Sequence, residues 1–410
     1  MTKSGHQQQI ARLVVKGREI VIADRALSDI VQLAGGTPLY IYEREAIARR
    51  VAELRQQMPA SLKLHFAVKA NPMPAVLEAL VGLVDGFDVA SHGELCAALR
   101  AGASASDISF AGPGKRVAEL HAVITAGAII SIESPGELSR AAACAQECGR
   151  SARVILRLNP EFELKRSGLA MVGKASQFGM DVEYAREVLH KRLSPAVDVM
   201  GFQIYAGTQS LSALALLECQ QQIFALAREL APMLPHGLRY LNIGGGFGIP
   251  YFPGDAPLDL AMVGRGLREL ELAYTDISAS AEVVLELGRY IVGEAGFYVC
   301  EVVDIKTSRG QKFAVVNGGM HHHLANSGNL GQILRKNYPV VVGNKMGAGP
   351  LETVTVVGPL CTPLDVVGDK LELPSLEPGD LVVILQSGAY GSSASPQGFL
   401  GHPPPLEILI

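Results

Sequence analysis

Apolar and β-branched residues fall in short bursts along most of the chain. Between the bursts, apolar positions recur every three or four residues. The bursts at 62–68, 86–90, 107–111, 128–132, 153–158, 198–204, 239–243 and 282–286 read as buried strands. The stretches at 74–84, 92–102, 115–126, 134–148, 182–192, 209–232 and 258–274 read as amphipathic helices between them. A helix at 44–57, with Ile47, Val51 and Leu54 on one face, makes eight of each. Eight strands alternating with helices predict an α/β fold, a (β/α)8 TIM barrel over 44–283. A doubly wound open sheet is the alternative.

After Glu286 the pattern changes. Stretches at 297–306, 312–316, 352–357 and 381–385 are β-branched and separated by Gly, Pro and Asp turns, with no long helical period. A C-terminal all-β domain over 284–410 is expected. Residues 10–23 and 38–42 read as short strands around Gly35-Gly36-Thr37-Pro38, and strands from 1–43 are expected to join that domain. Gly343 to Pro350 reads as a loop, and no internal repeat or low-complexity tract is evident.

Composition narrows the class. The 410 residues are 48% hydrophobic and 19% charged, a globular balance with room for a large core. A net charge of -4 gives no reason to expect a nucleic-acid partner. Met1 to Arg12 is polar and lacks the apolar segment of a signal peptide, and no apolar run reaches membrane-spanning length. Cys96, Cys144, Cys148, Cys219, Cys300 and Cys361 form no disulfide framework, so a cytoplasmic protein is expected. Cys144 and Cys148 lie one helical turn apart without further ligands, which reads as helix packing rather than a metal site.

Unusual polar residues gather where the strands end. Lys69 follows the first strand, before Asn71-Pro72-Met73-Pro74. A surface lysine is the plain reading of that position. A desolvated lysine would have a lowered pKa and could hold an aldehyde as a Schiff base. Asp88 lies in the second strand, with Ser91, His92 and Glu94 just after it. Arg157 ends the fifth, Gln203 and Tyr205 close the sixth, and Glu286 ends the eighth. Asp88 with Arg157 alone could be a core ion pair. Together these residues mark the end of a barrel at which chemistry gathers.

Gly244-Gly245-Gly246-Phe247-Gly248 follows the seventh strand. A dinucleotide fingerprint counted from Gly244 would need glycine at Ile249, so that pattern fails. A single phosphate suits the run better than a pyrophosphate. A tight turn with close packing is the alternative.

Four motifs occur in a telling order: His65-Phe-Ala-Val-Lys69-Ala-Asn-Pro72, Gly244 to Gly248, Glu286-Leu-Gly-Arg289 and Gly358-Pro-Leu-Cys361. The chain resembles, from about Thr37 to Gly391, the pyridoxal-phosphate-dependent fold-type III decarboxylases. These include the diaminopimelate, ornithine and arginine decarboxylases. The resemblance implies an alanine-racemase-like barrel plus a C-terminal all-β domain, with pyridoxal 5'-phosphate as cofactor. It also implies a homodimer with shared active sites, where one chain's cysteine reaches the other's cofactor.

Roles follow from the resemblance residue by residue. Lys69 resembles the Schiff-base lysine, and Glu286 the carboxylate that pairs with the pyridine nitrogen. Gly244, Gly245, Gly246, Gly288 and Arg289 look like the phosphate cradle. Tyr390 resembles the phosphate-contacting tyrosine, and Thr208 is counted with the cofactor-binding positions. Cys361 resembles the cysteine that protonates the carbanion. Asp88, Glu94 and Arg157 occupy positions that order the lysine end.

The departures bear on the substrate. Tyr205 stands where relatives commonly stack a histidine on the ring. Thr362 follows Cys361 where relatives that take basic amino acids often place Asp or Glu. Gln386 replaces the usual Asp, and Met320-His321-His322-His323-Leu324 replaces a stretch that reads the substrate's far end. On an extended segment only His321 and His323 would share a face, so no metal is expected. Thr362, His321, His322, Arg289 and Tyr390 are the expected substrate-binding residues. A substrate ammonium buried without a carboxylate is costly, which argues against lysine, ornithine or diaminopimelate.

Residues 162–179, with Gly358 to Asp365, look most like a subgroup found beside exosortase and carrier-protein genes. A butirosin-pathway decarboxylase acting on carrier-tethered glutamate is a more distant comparison. An acylated or carrier-protein-linked amino acid is therefore the expected substrate. Diaminopimelate decarboxylase, an amino-acid racemase and a catalytically silent cofactor-fold binding protein are the alternatives. The racemases lack the Gly-Pro-x-Cys signature, and silent relatives lose the lysine or the cysteine.

Overall fold

Eight parallel strands pair in chain order and close on themselves. They are Lys63–Ala67, Gly86–Val89, Ile108–Phe110, Ile129–Ile132, Ala152–Asn159, Val197–Gln203, Tyr240–Gly245 and Glu282–Leu287. The eighth strand pairs with the first, which makes a barrel and excludes an open sheet. The structure, a computed structural model, describes residues 5–164, 168–330 and 336–410.

Helices fall between the strands as the periodicity predicts. Serine hydroxyls start three of them: Ser91, Ser134 and Ser212 accept from the backbone N–H of Glu94, Glu137 and Ala215. Each satisfies an N–H that the first helical turn would leave bare.

Side chains two residues apart on a strand share a face, so the barrel interior is layered. Ile129, Ile155, Met200, Tyr240 and Val284 pack as one apolar cluster. One pleat further on lie Ser131, Arg157, Asn242 and Glu286, all buried. The apolar layer fixes the barrel, and the polar layer sits at the strands' C-terminal ends.

By contacts the chain divides into two units. One comprises Arg49–Gly248 and Leu258–Gly288, the barrel. The other comprises Met1–Ala48, Ile249–Pro257 and Arg289–Ile410. In the second, strands Val340–Val342, Leu381–Ile384, Gly296–Ser308, Gln311–Val316, Leu351–Val357 and Val366–Pro374 lie side by side in that order. Strand Leu39–Tyr42 pairs antiparallel with Gly296–Val299 and parallel with Leu406–Leu409.

The N-terminal stretch differs from its expected strands. Residues 10–23 hold the end of helix Gly5–Ala11 and then a hairpin, Val14–Lys16 with Glu19–Ile22. With Arg25–Ala26 these strands form their own three-stranded sheet instead of joining the larger one. Helix Leu27–Ala34 was not expected. It buries Leu27 and Ile30 and stops at Gly35 in the left-handed conformation. Among the described residues no helix is long and apolar enough to cross a membrane.

Candidate active site

Lys69 stands on a single turn of 3-10 helix, Val68–Ala70, directly after the first strand. Its Nζ lies 3.6 Å from Glu286 Oε1 and 5.2 Å from the centre of the Tyr205 ring. The Lys69 side chain is 45% exposed, so the desolvation anticipated for this amine is not supplied by the surrounding chain. Gly288 abuts the same turn: a Cβ there would fall 2.8 Å from that of Ala70.

Glu286 is buried and braced from the neighbouring strands. Its Oε2 accepts from Gln203 Nε2 at 3.0 Å and from Asn242 Nδ2 at 3.5 Å. Ser131 donates to Gln203 Oε1, and Gly244 N donates to Asn242 Oδ1 at 2.8 Å. These bonds turn both amide NH2 groups toward the carboxylate. Burial and the charge of Asp88 raise the Glu286 pKa, while Lys69, Arg157 and the Gln203 bond pull it down. Gln203 was expected at the end of the sixth strand without a role, and Asn242 was not anticipated. The signal for Asn242 in the sequence is a polar side chain at an inward position of an apolar strand.

Arg157 does not pair with Asp88. Its NH1 bonds Glu133 Oε1 at 3.0 Å, and its guanidinium lies 5.0 Å from the Phe178 ring centre. Glu133, absent from the expected site, also accepts from Gly112 N and Gly179 N. Asp88 instead accepts from Ser109 and faces His65 Nδ1 at 3.6 Å. Glu94 accepts from Ala90 N at 2.7 Å. Burial raises its pKa, against the Ala90 bond and the charge of Lys69.

The glycine run is required by packing. Added Cβ atoms at Gly244, Gly245 and Gly246 would lie 2.6, 1.9 and 2.2 Å from the carbonyl oxygens of Ile204, Glu286 and Gly207. Only glycine lets these backbones meet. Thr208 pairs with Leu169 in a short ladder beside Gly207. Residues 165–167, within the segment 162–179 that bears on substrate class, lie outside the described residues.

The remaining expected residues belong to the second unit. The Arg289 guanidinium lies 4.6 Å from the Tyr390 ring centre and donates to the Tyr251 hydroxyl at 2.9 Å. Tyr390 and Gln386 both carry a positive φ of 56°, a conformation uncommon outside glycine. Gln386 Nε2 donates to the Pro250 carbonyl at 3.1 Å.

Cys361 is exposed, on the loop between strands Leu351–Val357 and Val366–Pro374. The Thr362 hydroxyl is engaged locally, accepting from Leu364 N at 3.3 Å. Asp365, unanticipated as a site residue, fastens this loop. Its carboxylate accepts from Leu360 N at 2.9 Å and from Met320 N at 2.7 Å, which ties the Cys361 loop to the histidine segment.

The histidine segment is a turn, not an extended strand: His322 N and His323 N both donate to the Gly319 carbonyl. His321 and His322 therefore lie ring to ring, 3.7 Å between centres, instead of on opposite faces. All three are buried. His322 donates from Nε2 to the Pro403 carbonyl and receives the Tyr298 hydroxyl at Nδ1. His323 receives Asn326 N at Nδ1 and donates to Ser387. Both ring nitrogens of His321 lack hydrogen-bond partners. Burial, with His322 and His402 nearby, lowers its pKa to about 4. Among the described residues no group of three His, Cys, Asp or Glu side chains is placed to hold a metal ion.

The chain is similar in sequence and fold to known proteins. Residues 44–293 match the family described as pyridoxal-dependent decarboxylase, pyridoxal binding domain. The chain is 37% identical, over 91% of its length and 88% of the relative's, to the L-glutamyl-[BtrI acyl-carrier protein] decarboxylase of Niallia circulans. It is 31% identical to the diaminopimelate decarboxylase of Campylobacter jejuni, covering 88% of this chain and 87% of that one. The crystal structure of diaminopimelate decarboxylase from Helicobacter pylori complexed with L-lysine superposes with a TM-score of 0.83 at 27% identity, covering 93% of this chain and 94% of that one.

Proposed function

The chain belongs to the fold-type III pyridoxal-phosphate-dependent decarboxylases and is a PLP-dependent amino-acid decarboxylase; from that premise we propose that its substrate is acylated or carrier-protein-linked. We also propose that it belongs to the exosortase-associated subgroup and works in the cytoplasm as a homodimer with shared sites. The observation that carries the substrate reading is Thr362, a neutral residue directly after Cys361 whose hydroxyl is used within its own turn. Gln386 and the low-pKa His321 add no negative charge. The likeness to a decarboxylase of a carrier-bound glutamyl group supports the same reading.

The barrel residues fit the cofactor. A buried, braced carboxylate lies beside an amine that is open enough to react. Pyridoxal phosphate, when bound, supplies an electron sink for the pair left by departing carbon dioxide. In this proposal Lys69 holds the cofactor covalently. Glu286, kept in place through Oε2 by Gln203 and Asn242, would offer Oε1, the oxygen facing Lys69, to the ring nitrogen. Tyr205 stacks on the ring, and Asp88 and Arg157 order the surroundings. Gly244, Gly245, Gly246, Gly288, Arg289 and Tyr390 hold the phosphate, an assignment carried by the family motifs, and Thr208 belongs with the cofactor-binding positions. Cys361 delivers a proton to the substrate's α-carbon from the neighbouring subunit. Thr362 and His321 meet the substrate's far end. His322, with both ring nitrogens engaged, contributes shape there instead of a new hydrogen bond. The domain boundary expected at 283 moves to Gly288, because the eighth barrel strand, Glu282–Leu287, crosses it and keeps Glu286 with the barrel.

The test is loss of carbon dioxide, followed by mass spectrometry, from free lysine, ornithine, meso-diaminopimelate and glutamate and from a carrier-linked aminoacyl group. Preference for the neutral or carrier-linked substrates is expected. A charge-assisted hydrogen bond contributes about 1.5–3 kcal/mol, so the free diamino acids should be disfavoured roughly ten- to a hundredfold in kcat/KM. Turnover of a free diamino acid at about 10⁴ M⁻¹s⁻¹ or more would overturn the substrate reading and leave the decarboxylase standing.

A further inference from the structure

Two carboxylates share the polar layer of the barrel. Glu286 and Asp88 are each 5% exposed. Like charges in a dry interior do not both ionise unless a cation compensates one of them. Among the described residues three cations lie near enough to matter. Arg157 is committed to Glu133. Lys69 is committed to the cofactor on the reading above, on which this inference rests. His65 remains, 2% exposed, on the first strand.

Its placement is specific. His65 stands in register opposite Glu286 on one side and Gly86 on the other. Gly86 makes room for the ring: a Cβ there would fall 2.5 Å from His65 Nε2. The ring turns Nδ1 toward Asp88 Oδ2 at 3.6 Å, and among the described residues neither atom has a hydrogen-bond partner. The other Asp88 oxygen accepts from Ser109. The Tyr240 hydroxyl, on the seventh strand, is buried without a partner in reach of the same charges.

We propose that His65 is a positioning residue, an imidazolium that neutralises Asp88 so that Glu286 can stay ionised for the cofactor. Burial alone would lower the His65 pKa. The charge of Asp88 facing the ring, with Glu282 and Glu286 on the eighth strand, outweighs it and raises the value. His65 thus acts on the cofactor through two carboxylates and touches neither the cofactor nor the substrate.

The experiment measures retention of pyridoxal 5'-phosphate during dialysis of the holoenzyme, read by cofactor absorbance from about pH 6 to about pH 9. The proteins are wild type, His65→Phe, His65→Phe with Asp88→Asn, and Glu286→Gln. A shift of one pKa unit in Glu286 corresponds to a tenfold change. His65→Phe should therefore hold the cofactor about tenfold more weakly near neutral pH and recover as pH rises. The double variant, which removes the charge along with its partner, should hold the cofactor more tightly than His65→Phe alone and lose that variant's pH dependence. Nitrogen NMR of the wild-type histidines supplies a readout that needs no variant to fold, and His65 should be protonated at both ring nitrogens near neutral pH. A neutral His65 imidazole, a His65→Phe profile like wild type, or a double variant as weak as the single would overturn the proposal. Retention unchanged in Glu286→Gln would instead overturn the role given to Glu286, and this consequence with it.

Discussion

Glu286 in the barrel and Cys361 in the second unit are both held in place, but by different means. Glu286 lies on a strand paired on both sides, opposite His65 and Gly245, and two side-chain amides aim its carboxylate. Cys361 lies on a loop with its own backbone turns, tied to the histidine segment through one buried carboxylate, Asp365, accepting from Leu360 and Met320. The barrel's support is redundant, so losing one brace leaves others. The tie through Asp365 is concentrated, so losing that one group removes both of its bonds at once.

The largest expected effects test whether both regions serve one reaction. Lys69→Ala and Cys361→Ala subunits should each be nearly inactive. Borohydride should fix cofactor mass on Lys69 in wild type and nowhere in Lys69→Ala. Loss of a general acid costs about 10²–10⁴-fold, the range expected for Cys361→Ala. Mixing the two variants should restore about a quarter of wild-type activity, because about half the dimers regain one of two sites. Demonstrated subunit exchange with no recovery would mean that each site is built from a single chain.

An intermediate effect separates redundant from concentrated support. Asp365→Ala leaves two backbone N–H groups without their acceptor, at about 1–3 kcal/mol each. Asn242→Ala leaves Glu286 the bond from Gln203 but strips the Gly244 N–H of its acceptor, one backbone donor against two, and should cost about half as much. Urea unfolding of both variants checks the order, and equal losses would erase the contrast drawn here.

The smallest effect is a difference in pH response. His321 and His323 have pKa values lowered to about 4 and about 3, His323 by burial alone. Unfolding lets them take up protons once pH falls below the ordinary 6.5, so their segment loses stability from there down toward those values. His65 has the opposite sign. Its value is raised, so its contribution is full below 6.5 and is lost as pH climbs through the folded value. Hydrogen exchange corrected for intrinsic rates should show residues 319–327 opening in mild acid while the first barrel strand stays protected. Equal acid sensitivity of both segments would contradict this.

The same contrast explains what the sequence revealed. Barrel strands announce themselves by apolar bursts, and Lys69 and Glu286 stand out as charged residues where those bursts end. The partner of Arg157 was hidden because strand order, not chemical type, decides it. Arg157 ends the fifth strand, beside the fourth, which stops just before Glu133; Asp88 lies three strands away. The histidines misled because a run of three carries no period of its own. Their turn depends on the Gly319 carbonyl and on Asp365, some forty residues downstream. Helix Leu27–Ala34 has only two buried positions, Leu27 and Ile30, too few for a period to show.

Strand Leu39–Tyr42 has a consequence for the order of synthesis. It precedes the barrel in the chain, yet both of its pairing edges belong to segments that follow the barrel, Gly296–Val299 and Leu406–Leu409. A ribosome releases the residues of the whole barrel before the first of those partners exists. The barrel can therefore close cotranslationally, while Leu39–Tyr42, four buried apolar or aromatic residues, waits as an unpaired edge. Its second edge is covered by Leu406–Leu409, which emerge later still. That waiting strand is the segment at which a chaperone would be most useful and at which a stalled nascent chain would aggregate first.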